Sequence, residues 1–211
     1  MPTEFAAQAL ARLRDGSHFE WYVVPILVLV FYVYSVEVER RNWNVLFAGL
    51  AFWGMDWFNE IANGLVFHFT GRAPLWATPG DSAYVILIGL NIEICLMFAF
   101  MGVYAAKLLP ADRSLRILGV PNRWLIAAVN SAACVVVEIF LNSVNALTWD
   151  WSWWSARSPI PIFLFGYLTF FLVAYWVHDM ERVRSKAVAV GAIFAFDAAC
   201  LGVFGGALGW I

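Results

Sequence analysis

Residues 43–69 read WNVLFAGLAFWGMDWFNEIANGLVFHF, and the fold class turns on this stretch. It is apolar over more than the ~20 residues that a helix needs to cross the hydrocarbon core of a bilayer. It contains no proline, yet it carries Asp56, Glu60 and Asn63 in its interior. Spaced i, i+4 and i+7, these three residues share one helix face. The whole chain agrees with a membrane reading: of 211 residues, 63% are hydrophobic and 13% charged. Soluble domains have about 45–50% apolar and about 25% charged residues. One soluble core of this size cannot bury the excess, so lipid must cover it. Aromatic residues make up 18% and include 12 tryptophans, side chains that favour the membrane–water interface. The expected fold is an all-α polytopic membrane helix bundle. A net charge of −2 gives a polyanion nothing to bind, and excludes nucleic acid as a partner.

Working outward, six spans are predicted: Trp21 to Glu37, Trp43 to Phe69, Ser82 to Leu109, Pro121 to Trp149, Pro159 to His178 and Ala187 to Ile211. Turn chemistry separates them at Gly71-Arg72-Ala73-Pro74, Thr78-Pro79-Gly80-Asp81 and Leu109-Pro110-Ala111-Asp112. Residues 1–19 are expected to form an N-terminal surface segment, with a short amphipathic helix over Glu4 to Arg14. Residues 20–211 form a single transmembrane helical domain. The apolar run after residue 19 lacks a small-residue cleavage site, so the N-terminus is expected to be retained. Lys and Arg cluster in alternate loops: Arg40 and Arg41; Lys107, Arg113, Arg116 and Arg123; Arg182, Arg184 and Lys186. The positive-inside rule puts these loops in the cytoplasm and both termini outside, in a multi-pass protein of the cell membrane. Arg12 and Arg14 run against that assignment.

Intramembrane acids and asparagines carry the functional reading. The fourth span repeats the spacing of the second, with Glu138, Asn142 and Asn145 at i, i+4 and i+7, and Pro79 aligns with Pro161 at the same offset. The pattern suggests that helices 2–3 and 4–5 are duplicated hairpins. Asn91, Glu93 and Asp197 add polar groups on the third and sixth spans. A charged side chain at the bilayer centre costs about 2.5–3.5 kcal/mol on insertion scales. No Lys or Arg lies mid-span, so the acids cannot all be charged. Some should be protonated, or a bound cation should compensate them. Asp56 and Asp197 fall near mid-membrane and the other polar groups in the outer half. The expectation is an outer-leaflet cavity under Trp-rich loops that contain Trp76 and Trp154. Asn59, Asn91 and Asn130 read more simply as helix–helix hydrogen-bonding groups.

Other signals are weaker. Cys95, Cys134 and Cys200 sit singly in apolar runs and read as packing residues. His68 with Glu60 is a weak metal pair without HxxxH or ExxH spacing, so no metal site or cofactor is expected. Gly202, Gly205, Gly206 and Gly209 read as a close-packing face. There is no GxSxG, P-loop, HExxH or dinucleotide fingerprint.

The run Asp56-Trp57-Phe58-Asn59-Glu60, followed by Leu87-Ile88-Gly89-Leu90-Asn91, resembles the small integral-membrane terpene cyclases of meroterpenoid and indole-diterpene pathways. That family carries a Trp-Glu pair on its second helix; here Trp57 and Glu60 are not adjacent. The family usually has seven helices and a second acid on the last one, for which Asp197 is the candidate. Membrane carotenoid hydratases and cyclases are similar more loosely. The resemblance covers about a quarter of the chain. It implies an enzyme that cyclises, isomerises or hydrates a lipophilic isoprenoid.

The residues suit such chemistry. Glu60 or Asp56 would protonate an alkene or epoxide, and Asp197 or Glu138 would take the final proton. Trp53, Trp57, Phe58 and Tyr84 would face the cation. Asn63, Asn91, Glu93, Asn142, Asn145, Trp76 and Trp154 would line the substrate site. The alternative is a proton- or cation-coupled transporter or channel using the same acids. A transporter favours helix breaks at its site, and no proline interrupts these helices near the acids, which tilts the reading toward an enzyme. A non-catalytic component of a larger complex is a third option.

Overall fold

The computed structural model describes residues 1–211, apart from the side chain of His18. Seven helices account for most of it: α1 Glu4–Arg12, α2 Val23–Glu39, α3 Trp43–Thr70, α4 Ile92–Lys107, α5 Asn122–Ser143, α6 Ile162–Asp179 and α7 Val183–Ala207. Helices α5, α6 and α7 are each long and apolar enough to cross a membrane, by length and composition. At 17 and 16 residues, α2 and α4 are shorter. Helix α3 has 28 residues, but Asp56, Glu60 and its asparagines interrupt its apolar character.

From α2 to α7 the helices run alternately down and up, taking the end where α3 finishes as the top. Helix α3 is the central post and packs against α4, α6 and α7, whereas α5 leans mainly on α6. Small residues set the closest approach. A Cβ on Gly102 would lie 2.8 Å from the Gly49 carbonyl oxygen, and one on Gly54 would lie 2.6 Å from Ile193 Cγ2. Phe52 is fully buried at the crossing, with ring centroids 5.9 Å from Phe98, 5.5 Å from Phe170 and 4.9 Å from Phe171. At the bottom, Lys107 Nζ meets the buried Glu37 at 2.5 Å, and Arg123 pairs with both oxygens of Asp179 at 2.9 Å.

Two expected spans are shorter than the sequence suggested. The third is expected over Ser82 to Leu109, but the helix starts only at Ile92. Before it, Val85–Leu87 and Leu90–Asn91 pair as an antiparallel hairpin (β1, β2). Asn91 Oδ1 then accepts the Ile94 amide at 2.8 Å and caps α4. The fourth is expected over Pro121 to Trp149, but α5 stops at Ser143. Asn145 takes a left-handed φ of 59°, a conformation that Asn tolerates. The chain then doubles back, and Ala77 and Thr148 exchange backbone hydrogen bonds of 2.9 and 3.0 Å. Asn145 therefore ends a helix instead of extending the Glu138 stripe. Pro79 lies in a loop while Pro161 borders α6, so the matched spacings do not become matched hairpins.

A second hairpin, β3 Arg116–Ile117 with β4 Val120–Pro121, precedes α5 at the bottom. At the top, α1 is docked: Ala6 and Ala9 are fully buried, and Thr3 donates its amide to Arg72 O at 2.9 Å. Arg12 reaches Gly80 O at 2.9 Å and Asp81 at 2.8 Å. Tyr22, at the start of α2, donates to Glu93 at the start of α4.

Candidate functional site

One stripe of α3 supplies the core of the site. Asp56, Glu60 and Asn63 are all buried. Asn63 is committed to the backbone of the loop that follows its helix. Its oxygen accepts the Leu75 amide at 2.7 Å, and its nitrogen donates to Trp76 O at 2.8 Å. So pinned, the loop turns the Trp76 indole inward to donate to Glu60 Oε1 at 2.9 Å. Glu138 on α5 has a parallel partner, accepting the Trp149 indole N–H at 2.9 Å, and Asn142 holds the Leu147 carbonyl at 3.1 Å. Each glutamate thus takes one indole from the loop after its own helix, and the Ala77–Thr148 pairing ties the two loops together.

The two stripes meet in a chamber of about 50 Å³ lined by Asp56, Glu60 and Glu138 together with Trp76, Gly89 and Tyr167. Gly89, at the turn of the β1–β2 hairpin, closes the chamber from above. A Cβ there would sit 2.5 Å from Trp76 Nε1 and 2.7 Å from Glu60 Oε2, so only glycine lets the hairpin approach. The residues Ile162–Leu168 of α6 are wound as a π-helix, a local widening frequent at functional sites. This turn presents Gly166 and Tyr167 to the chamber, and the Tyr167 hydroxyl faces Glu138. Among the described residues, Asp56 Oδ2, Glu60 Oε2 and both Asp197 oxygens are buried without a hydrogen-bond partner.

The other expected site residues divide clearly. Trp154 roofs the chamber indirectly, stacking on Trp76 at 5.7 Å. Asp197 is buried on α7 and lies within electrostatic reach of Asp56, but it does not line the chamber. Trp53 donates to Cys95 Sγ at 3.3 Å and packs on Phe194, and Trp57 joins an apolar cluster beside α4. Neither lines the chamber: Trp53 lies on the Glu60 face but two turns below it, and Trp57 is packed in its apolar cluster. Asn91 caps α4. Glu93 binds the Ser82 hydroxyl and the Ala83 amide, each at 2.8 Å, and so anchors the loop before the hairpin. Asn145 is the helix terminator described above. His68 stacks on Trp210 at 4.5 Å and lines a separate cavity with Arg14, away from Glu60. No group of three metal-ligating side chains occurs among the described residues.

Sequence reasoning passed over Tyr167, Trp149 and Gly89. Tyr167 was visible only as one hydroxyl in an apolar run, and nothing in its spacing tied it to α5. Trp149 belonged to a loop whose tryptophans read collectively as interfacial. Gly89 enters the sequence reading only within the run Leu87-Ile88-Gly89-Leu90-Asn91 on an expected helix, with no role of its own.

Beside the chamber lies a cleft of about 270 Å³ between α4 and α5, bounded behind by α6. Met97, Phe98, Glu138, Leu141 and Tyr167 border both spaces. The remaining lining is largely apolar, and Tyr104, Leu108 and Val137 expose 46–55% of their surface on its flanks.

The model of an uncharacterized membrane protein family matches residues 3–206. A protein of Archaeoglobus fulgidus (strain ATCC 49558 / DSM 4304 / JCM 9628 / NBRC 100126 / VC-16), described only as an uncharacterized protein, is 58% identical over 211 residues, covering 100% of both chains. A shorter protein of the same organism, described in the same words, is 64% identical over 53 residues, which is 95% of it and 25% of this chain. No solved structure matches.

Proposed function

We propose, for a chain that belongs to this uncharacterized membrane protein family, that it is an integral-membrane enzyme performing acid–base chemistry on a lipophilic, isoprenoid-type substrate. The observation that carries the reading is the shared chamber of Asp56, Glu60 and Glu138, which has Glu138 and Tyr167 in common with an apolar cleft on the flank of the bundle. A carboxyl group without a cationic partner in such surroundings persists as the neutral acid. A neutral acid is the reagent that cyclisation, isomerisation or hydration of an alkene requires. Glu60 gives up its O–H proton as a new C–H bond forms. The resulting carbocation faces the Trp76 and Tyr167 rings. Glu138 passes its own proton to the Glu60 carboxylate just formed and then takes a proton from the adjoining carbon; a new double bond forms and both glutamates are again neutral acids. Glu138 suits this step better than Asp197, which stands outside the chamber.

In this reading the six helices α2 to α7 all span the bilayer, with α2 and α4 extended by the short segments at their ends. The basic bottom faces the cytoplasm, and the chamber lies toward the outer leaflet. The test is turnover: purified protein is incubated with all-trans prenols and the products are separated by mass. Glu60→Gln and Glu138→Gln should each lower product formation about 10²-fold or more while leaving the fold intact. Unchanged product formation in both variants would refute the assignment.

One observation favours a second reading, proton transport. Asp197, Asp56 and Glu60 form a succession of buried acids with unpartnered oxygens. Proton flux into liposomes that disappears in Asp56→Asn and Asp197→Asn, with no prenol converted, would select it.

A further inference from the structure

We infer that the α4–α5 cleft seats the hydrocarbon tail of the substrate, with the reacting end at Glu138 and the tail directed down the bundle. This inference rests on the acid–base reading above. The chamber alone is too small for a lipid. At about 10–15 Å³ of such volume per water, its 50 Å³ accepts a few water-sized groups, enough for one reacting end. The cleft has more than five times that volume and shares Glu138 and Tyr167 with the chamber. A molecule reacting in the first space must therefore place its remainder in the second. Two unpartnered carboxylate oxygens, Asp56 Oδ2 and Glu60 Oε2, belong to residues that line the smaller space and have no protein group to meet.

The shape of the cleft specifies the occupant. It follows α4 from Met97 to Leu108 and α5 from Leu141 down to Asn130, a run of about 16 Å at the rise of an α-helix. Its polar groups are few. Glu138 stands at the top, and the Asn130 amide below is already committed to the Tyr175 hydroxyl at 2.9 Å. Everything between suits a single apolar chain, and Met97 and Met101 can adapt to its branches. With exposed apolar side chains along its flanks, the cleft is reached sideways from lipid. A tail longer than about 16 Å would run out past the bottom of the groove, so binding should depend on chain length.

The test uses the full chain in nanodiscs, with geraniol, farnesol and geranylgeraniol as probes and native mass spectrometry as the readout. Wild type should bind the longer prenols more tightly than geraniol. Ala133→Trp, which fills the lower cleft from α5, should weaken farnesol and geranylgeraniol about tenfold and leave geraniol unchanged. Leu108→Trp, from the opposite wall, should do the same, and keeps the test available if the first variant does not fold. Val136→Trp, on the lipid-facing side of α5, should change none of the three. Equal loss for every prenol, or no loss for any, overturns the inference. So does a membrane phospholipid that occupies the cleft and resists excess prenol. Glu138→Gln separates the two claims. If tail seating is right and the acid–base reading wrong, no prenol is converted, yet Ala133→Trp still reorders binding by length. If only tail seating is wrong, conversion requires Glu138 but its length dependence is the same in Ala133→Trp as in wild type.

Discussion

Asn63 is fully buried and spends both polar atoms of its amide on the loop that carries Trp76. Replacing it with Leu would orphan the Leu75 N–H and the Trp76 carbonyl, at about 1–3 kcal/mol for each buried group left unpaired. The expected result is a clear fall in Tm in detergent for Asn63→Leu, larger than for Asn142→Leu, which removes a single bond to Leu147. Gly89→Ala is the matching steric test. Its methyl would have to displace Trp76 and Glu60, so both thermal stability and turnover should fall; overpacking of this kind costs about 1–3 kcal/mol. At this scale the sequence was partly legible. Asp56, Glu60 and Glu138 stood out because a carboxyl group in an apolar helix is costly wherever it lies. The task of Asn63 did not stand out, because its partners belong to a loop whose return path no local pattern dictates.

The elements tell a similar story. Long apolar runs announced α2, α3, α5, α6 and α7, with ends displaced by a few residues. The start of α4 was missed because Val85-Ile86-Leu87-Ile88 is apolar enough to pass for helix. Its β-branched residues, the turn at Gly89 and the Asn91 cap were the competing signals. The π-helical winding of Ile162–Leu168, which carries Tyr167, has no comparable signature. Helix packing gives the clearest test at this scale. Helices α3 and α4 touch through Gly49 and Gly102, where a new Cβ would meet backbone at 2.8 Å. Gly102→Val should separate them and cost about 1–3 kcal/mol or more, visible as a lower denaturation midpoint. Gly191→Val, with open space around its Cα, should change the midpoint little.

At the scale of the molecule, the alternating helices place Lys107, Arg113, Arg116, Arg123 and Arg182 at the bottom and the Trp-rich loops at the top. Composition and loop charge led to this arrangement because both reflect the bilayer acting as a solvent. The meeting of α3 and α5 across the chamber depends on α6 and the loops, and no spacing in the sequence encoded it. In a cysteine-free background, Ser114→Cys should react with a membrane-impermeant maleimide only from the cytoplasmic side and Ser152→Cys only from the outside. Labelling from the reverse sides would invert the proposed orientation.

The most direct measurement is the reaction of the intact protein with a hydrophobic carbodiimide, which dissolves in lipid and modifies carboxyl groups in apolar surroundings. Peptide mapping should find the adduct on Glu138 or Glu60, and farnesol in the bilayer should slow its formation. An adduct confined to Asp197, or labelling of the two glutamates that farnesol leaves untouched, would contradict a common acid chamber opening onto the membrane.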